Sequence, residues 1–406
     1  MKPGIEALGV AVPSTCIRLD ALAQARGVAP SKYLDGLGTH VMGVAMPEED
    51  TVTLAARAGR MALESARVSP GEIGMLVVGT ETAVDHSKPV SSFVQGLLGI
   101  GQRCRVFETK HACYGGTAAL QLSLDWIRSG SARGKKALII CSDIARYGLH
   151  TAGEPTQGAG AVALLVSETP SLVALDAGVT GLCAIDVHDF WRPLYSKDAL
   201  VDGHYSVQCY LDALTGAYQH YQELSGGNAR NPSSGHATCF SDRFAALAYH
   251  VPYGKMARKA HRQLRTLDGD ANPDASFDRL VSSGLIYPAT VGNIYTGSLY
   301  LSLTSVLANT PTSLDRQSVG LFSYGSGSCA EFFSGTVKPG AQEKVKALGL
   351  TKLLAARREL SIAEYEAVMN EREGIDQRPF AAASTRGFAY LGVEQHRRTY
   401  SNVGAA

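Results

Sequence analysis

Short apolar runs alternate with longer stretches of helical spacing along most of this chain, and that alternation predicts an α/β fold. Ile73–Thr80, Arg105–Phe107, Lys136–Ser142 and Ala159–Val166 predict strands in the first half, with Arg243–Tyr249 and Ser318–Tyr324 in the second. Thr51–Ala66, Thr117–Ser129 and Gly297–Leu307 repeat apolar residues at helical intervals and predict helices. Thr351–Arg372 reads as one charged, amphipathic helix with a solvated face. The stretch 221–238, rich in Gly, Asn and Ser, reads as a loop. Each half closes on a glycine bend and an apolar strand: Gly158-Ala-Gly-Ala-Val-Ala-Leu-Leu-Val-Ser167 and Gly325-Ser-Gly-Ser-Cys-Ala-Glu-Phe-Phe-Ser334. That pair suits two related halves meeting near residue 170, with helices enclosed between sheets.

Composition narrows the function classes. A chain of 406 residues, 45% hydrophobic and 18% charged, can bury a large core and fill two domains. A formal charge of +1 and the lack of a long basic run give no electrostatic footprint for nucleic acid or a membrane surface. No apolar run is long enough to span a bilayer, and Met1-Lys2-Pro3-Gly4 leads straight into a strand with no signal-peptide pattern. Eight cysteines without a CxxC pair argue against a disulfide framework or a zinc knot, so a reducing cytoplasm is expected. Asp186-Val-His-Asp189 and Asp202-Gly-His-Tyr205 are polar clusters without a closed ligand pattern, and no metal is expected. Neither Gly115-Gly116 nor Gly325-Ser326-Gly327 fits a dinucleotide fingerprint or a phosphate loop.

The chemistry gathers around Phe107-Glu-Thr-Lys-His-Ala-Cys113-Tyr-Gly-Gly-Thr117, which reads as a strand, a tight turn and a helix start with a cysteine at the bend. Amide groups of the helix's first turn would favour a thiolate at Cys113; the alternative is a buried, inert cysteine. Glu81 and His250 each follow a strand-like run, where functional edges form, and the alternative for either is a cap or surface role. A carboxyl in an apolar pocket acquires a raised pKa suited to carbon-acid chemistry, and a histidine beside a thiol polarises an incoming carbonyl.

These residues, taken together, resemble the 3-hydroxy-3-methylglutaryl-CoA synthase family in its bacterial form, over most of the chain. Lys110-His-Ala-Cys-Tyr-Gly-Gly-Thr-Ala118 resembles the nucleophile segment, and Gly79-Thr-Glu-Thr-Ala-Val-Asp-His-Ser-Lys88 the segment of the catalytic glutamate. Asp189-Phe-Trp-Arg-Pro193, Tyr249-His-Val-Pro-Tyr-Gly-Lys255, Gly292-Asn-Ile-Tyr-Thr-Gly-Ser-Leu-Tyr300 and Phe322-Ser-Tyr-Gly-Ser-Gly-Ser328 extend the match. The resemblance implies a thiolase-like α/β fold: duplicated mixed-sheet halves, 1–170 with Glu81 and Cys113 and 171–406 with His250, Asn293 and Ser326, in five αβαβα layers. It further implies a homodimer, a buried reaction centre, and coenzyme A thioesters as substrates with no metal or redox cofactor.

By the same resemblance Cys113 accepts acetyl from acetyl-CoA, Glu81 is the general acid/base, and His250 orients acetoacetyl-CoA. Asn293 would lie near the acceptor carbonyl, Ser326 near the thioester oxygen, and Lys255 near the pantetheine or phosphate end of coenzyme A. Asp143 and Tyr147 are assigned structural support. Two departures stand beside the nucleophile: His111 where the family often has Glu or Gln, and Gly115-Gly116 for the frequent Gly-Ala, a change that leaves the turn intact. The second reading is a related enzyme that installs a β-branch on a polyketide using acyl carrier proteins; a third is a noncatalytic scaffold of the same fold.

Overall fold

The computed structural model describes residues 2–196, 198–226, 239–371 and 387–403. Its main sheet runs in the order Ala246–Tyr249, Ser318–Gly325, Cys329–Val337, Val173–Leu175, Gly4–Ala11, Gly158–Ser167, Lys136–Ala145, Ile73–Gly79 and Arg105–Thr109, with Gly181–Ala184 paired to Cys329–Val337. The two halves join only briefly in this ladder, at Gly4↔Ala174 and Ile5↔Val173. Four strands of one half repeat the order and directions of the other. Gly4–Ala11 pairs antiparallel with Gly158–Ser167, which pairs antiparallel with Lys136–Ala145, which pairs parallel with Ile73–Gly79. Val173–Leu175, Cys329–Val337, Ser318–Gly325 and Ala246–Tyr249 follow the same sequence of antiparallel, antiparallel and parallel pairings. The two glycine-led strands expected from sequence thus occupy equivalent places.

Strand alternation sorts the side chains into layers. Leu76, Val78, Leu138 and Ile140 pack with Val52, Ala55 and Ala62 of the outer helix Thr51–Ala66. The opposite-facing Met75, Val77 and Ile139 meet the helices Gly115–Arg128 and Ser298–Asn309. Those two helices also meet Ala248, Val319 and Leu321 of the second half, while Leu247, Tyr249 and Phe322 face the outer helices Gly203–Leu224 and Gly254–Leu267. The result is the expected αβαβα sandwich. Ser298–Asn309 is buried on every side from Ser298 through Ala308, as a central-layer helix must be, and it is accordingly apolar or small all round.

The outer helix Thr51–Ala66 matches its expected bounds because Asp50 and Thr53 form a reciprocal cap at its start. Three expectations fail wholly or in part. Thr351–Arg372 is not one helix: Leu350–Ala355 ends, Arg358–Glu359 pairs parallel with Thr15–Arg18, and Ile362–Glu371 starts afresh. Tertiary pairing overrides the helical spacing there, and Arg372 lies outside the described residues. Arg243–Tyr249 is strand only from Ala246, since a short 3-10 turn holds Phe240–Arg243. Of the expected loop 221–238, residues 221–224 belong to the helix Gly203–Leu224, and 227–238 lie outside the described residues.

Candidate active site

Cys113 sits where the strand Arg105–Thr109 turns into the helix Gly115–Arg128. The bend is sharp: Ala112 takes the left-handed backbone at φ 38°, and the Tyr114 amide donates to the His111 carbonyl at 2.9 Å. Glu81 hangs beyond the neighbouring strand Ile73–Gly79, and that strand packs onto the helix start without side chains between them. A Cβ on Gly79 would fall 2.5 Å from the Gly116 nitrogen. This contact brings strand end and bend together, and the Cys113 thiol donates to Glu81 Oε1 at 3.3 Å.

Asp143, wholly buried, fixes the segment that carries Glu81. Its Oδ1 accepts from the Thr80 hydroxyl, the Glu81 and Thr82 amides and the Thr82 hydroxyl at 2.8–3.0 Å. Its Oδ2 accepts from the amide and hydroxyl of Thr296 in the other half. Arg192 donates to the Glu81 carbonyl oxygen. Burial, then the Asp143 charge, push the Glu81 carboxyl up to about 8. Cys113 and Glu81 both keep a partly open face.

The expected thiolate is not favoured in this resting arrangement. Burial pushes the Cys113 thiol well above its ordinary value, and the Glu81 carboxylate adds to the shift. Burial first, and the acidic groups after it, outweigh whatever the first-turn amides contribute.

His250 follows Ala246–Tyr249, the strand equivalent to Ile73–Gly79. Its amide donates to the Phe322 carbonyl and its own carbonyl accepts from the Tyr210 hydroxyl, both at 2.8 Å. The ring lies nearly parallel to Tyr210, and burial lowers it to about 3, so it is neutral near pH 7. Asn293 precedes the second central helix, after Gly292 at φ 85°, where a Cβ would strike the Gln157 carbonyl at 2.2 Å. The Asn293 Oδ1 accepts from the Tyr295 amide and the Ser298 hydroxyl at 2.9 Å each. Its NH2 end is therefore the end left for a ligand.

Cys113, His250, Asn293 and Ser326 line one cavity of about 280 Å³, together with Tyr147, Phe190, Tyr210, Tyr295 and Tyr324. A hollow of about 380 Å³ at Glu6, Ser65 and Lys344 offers no thiol or imidazole on its walls. Lys255 is exposed and does not line the cavity; its neighbours Tyr253 and Met256 do. Tyr147, read from sequence as support, faces the cavity and is hydrogen-bonded to Tyr295. The segment Asp189–Pro193 gains roles that spacing alone could not show. Asp189 accepts from the Tyr324 hydroxyl and the Gly327 amide, Phe190 lines the cavity, and Arg192 clamps Glu81.

The family pattern described as hydroxymethylglutaryl-coenzyme A synthase N terminal matches residues 1–170, and its C-terminal counterpart matches 173–281 and 271–401. The chain belongs to the hydroxymethylglutaryl-coenzyme A synthase family. It is 40% identical over 371 residues to the hydroxymethylglutaryl-CoA synthase of Enterococcus faecalis, covering 91% of this chain and 92% of that one. It is 34% identical over 381 residues to the polyketide biosynthesis 3-hydroxy-3-methylglutaryl-ACP synthase PksG of Bacillus subtilis, covering 90% and 87%. Among solved structures, MvaS in complex with 3-hydroxy-3-methylglutaryl coenzyme A superposes with a TM-score of 0.92 at 49% identity, over 99% of each chain. The fold is thus the one these synthases share. Among the described residues no helix is long and apolar enough to cross a membrane, no cluster of three His, Cys, Asp or Glu is placed to hold a metal ion, and all eight cysteines are free.

Proposed function

We propose that this chain joins acetyl-CoA to acetoacetyl-CoA and water, giving 3-hydroxy-3-methylglutaryl-CoA and free coenzyme A. The observation that carries the reading is the contact at 3.3 Å between Glu81 and Cys113, the latter lining a cavity shared with a neutral His250 and with Asn293. Cys113 attacks the acetyl carbonyl as its proton passes to ionised Glu81, and Glu81 hands that proton to the departing sulfur, so coenzyme A leaves as the thiol and Glu81 is ionised again. With the acetyl group fixed, ionised Glu81 removes a methyl proton, and the enolate attacks C3 of acetoacetyl-CoA beside His250 and Asn293. A carboxyl raised to about 8 is a stronger base, once ionised, than an ordinary glutamate, and it can return that proton to the new tertiary alkoxide. His250, neutral, donates a hydrogen bond without bringing a charge. Water then splits the Cys113 thioester. The scheme calls for no metal or redox cofactor, because both carbonyls are activated as thioester and ketone by hydrogen bonds alone.

Lys255 is proposed to meet the pantetheine or phosphate end of coenzyme A, being exposed beside the cavity residues Tyr253 and Met256. We read 1–170 and 171–406 as the two halves, and a homodimer as the working unit. Among the described residues the outermost strand Arg105–Thr109, next to the nucleophile bend, is paired along one edge only, which supports pairing with a second copy. Eight unpaired cysteines support a reducing, cytoplasmic setting. The second reading, with acetyl and acetoacetyl groups on carrier proteins, is supported by the likeness to PksG; the higher identity to the Enterococcus enzyme favours coenzyme A and supply of the mevalonate route. Intact-mass measurement with acetyl-CoA is expected to show one acetyl group on Cys113, absent from folded Cys113→Ala. Label elsewhere refutes the assignment. Competition between acetoacetyl-CoA and carrier-bound acetoacetyl, with product followed by mass spectrometry, decides between the two readings.

A further inference from the structure

The strand Cys329–Val337 turns alternate residues toward the central layer, and two of these, Phe333 and Val337, join its apolar core. Glu331 stands on the same face, is only 4% exposed, and has no cationic neighbour among the described residues. A carboxyl taken out of water in this way is costly unless its oxygens are hydrogen-bonded. Both are met from the first half: the Tyr114 hydroxyl donates to Oε1 at 2.5 Å and the Gln121 side-chain amide to Oε2 at 2.8 Å.

Tyr114, at the N-cap of the helix Gly115–Arg128, and Gln121 stand two turns apart on one helix face. Thr117, between them on that face, donates its hydroxyl to Ser323 at 2.7 Å, and Ser323 lies opposite Glu331 in the ladder of Ser318–Gly325 with Cys329–Val337. The next pair of that ladder is Phe322↔Phe332, and the Phe322 carbonyl accepts from the His250 amide at 2.8 Å. At the other end of the chain of contacts, Tyr114 is the residue after Cys113. Its amide closes the bend on His111, and its carbonyl accepts from the Thr117 and Ala118 amides that start the helix. Glu331 thus joins the nucleophile bend of one half to the strand ladder that holds His250 in the other.

We propose that Glu331 is a positioning residue: by gripping the Tyr114 hydroxyl and the Gln121 amide it fixes the nucleophile helix against the ladder of His250, and so sets acetyl-Cys113 in register with the acceptor. The proposal rests on the condensing reading above. Acetyl transfer depends less on this register. Glu81 meets Cys113 within the first half, and the turn that bears Ser326 rests directly on the bend, where a Cβ on Gly325 would fall 2.6 Å from the Tyr114 nitrogen. Carbon–carbon bond formation instead needs the acetyl methyl and the acceptor carbonyl, held by different halves, to be aligned, and a misplacement of about 1 Å slows such a step on the order of a hundredfold.

Two rates separate this from plain packing: acetylation of Cys113 by acetyl-CoA, and condensation once acetoacetyl-CoA is added to the acetylated chain, each followed by quenched mass spectrometry. Glu331→Leu keeps bulk and removes both acceptors; it is expected to slow condensation about tenfold to a hundredfold and acetylation less than about threefold. Glu331→Gln can still accept from Tyr114 and, with the Gln121 amide turned over, donate to it, so it is expected to recover most of the condensation rate. Leu303→Ala opens a cavity in the same layer without removing either bond, and is expected to leave the ratio of the two rates near that of wild type. Equal loss of both rates in Glu331→Leu, unchanged condensation, or no recovery in Glu331→Gln overturns the proposal. A ratio shifted as far in Leu303→Ala overturns it too, because any loosening of the layer would then suffice. If Glu331→Leu does not fold, Tyr114→Phe replaces it, removing one hydroxyl, and the same ratio is read. Wild-type protein that takes no acetyl group, or takes it and does not condense, would instead overturn the functional reading beneath the proposal.

Discussion

At Glu81 and Cys113, acidity is set by neighbours rather than by residue type. Glu81→Ala removes the group that takes the thiol's proton but also the charge that raises the thiol, two effects on acetyl transfer that oppose each other, so acetyl transfer is expected to survive within about tenfold while condensation falls about a thousandfold. Single-turnover acetyl labelling followed by product release distinguishes the two steps; normal condensation in folded Glu81→Ala sinks the assignment. The same shift governs stability. With Glu81 at about 8 when folded and 4.5 when unfolded, the folded chain holds a proton that the unfolded chain gives up between those values, so its contribution falls as pH rises from 4.5 through 8. His250, at about 3 against 6.5, acts in the opposite sense: the unfolded chain takes up its proton first, and stability falls as pH drops from 6.5 toward 3. Glu81→Gln is therefore expected to gain about 1–3 kcal/mol on wild type between pH 5.5 and 8.5 in urea unfolding. A constant difference across that range would contradict the raised carboxyl.

Elements were legible where local pattern and tertiary packing agree. Thr51–Ala66 carries both its apolar stripe and its cap in sequence, and Ile73–Gly79 its run of apolar residues. Leu350–Ala355 and Ile362–Glu371 were merged because nothing local marks Arg358–Glu359 as a strand; its partner Thr15–Arg18 lies more than three hundred residues away. The site followed the same rule. Cys113, Glu81 and His250 stood out at strand ends, whereas Arg192 and Asp189 act across distances that spacing cannot measure. Gly116 shows how an innocuous change has a hidden partner. A Cβ there would meet the Cys141 sulfur at 2.3 Å, so the thiol fills the space that an alanine would need. Gly116→Ala is expected to cost about 1–3 kcal/mol, and Cys141→Ala to restore most of it in the double variant. Additive losses in thermal melts would show that the two positions are independent.

For the whole molecule, the central layer ties the halves into one folding unit. Leu120 and Leu124 from one half pack in the same core as Leu301, Leu303 and Leu321 from the other. Residues 1–170 alone would expose that face, so the fragment is expected to show no cooperative thermal transition; a sharp melt would mean that the first half carries a sufficient core of its own. Leu303→Ala in the full chain is expected to cost about 2–5 kcal/mol as a cavity in this shared layer. The repeated strand order also has a consequence for how selectivity can change. Glu81 and His250 stand at the ends of corresponding strands, one facing the donor chemistry and one the acceptor in the proposed reaction. Because the two strand ends approach one cavity from different elements, substitutions around His250 are expected to alter the choice of acceptor while the Cys113–Glu81 contact stays in place.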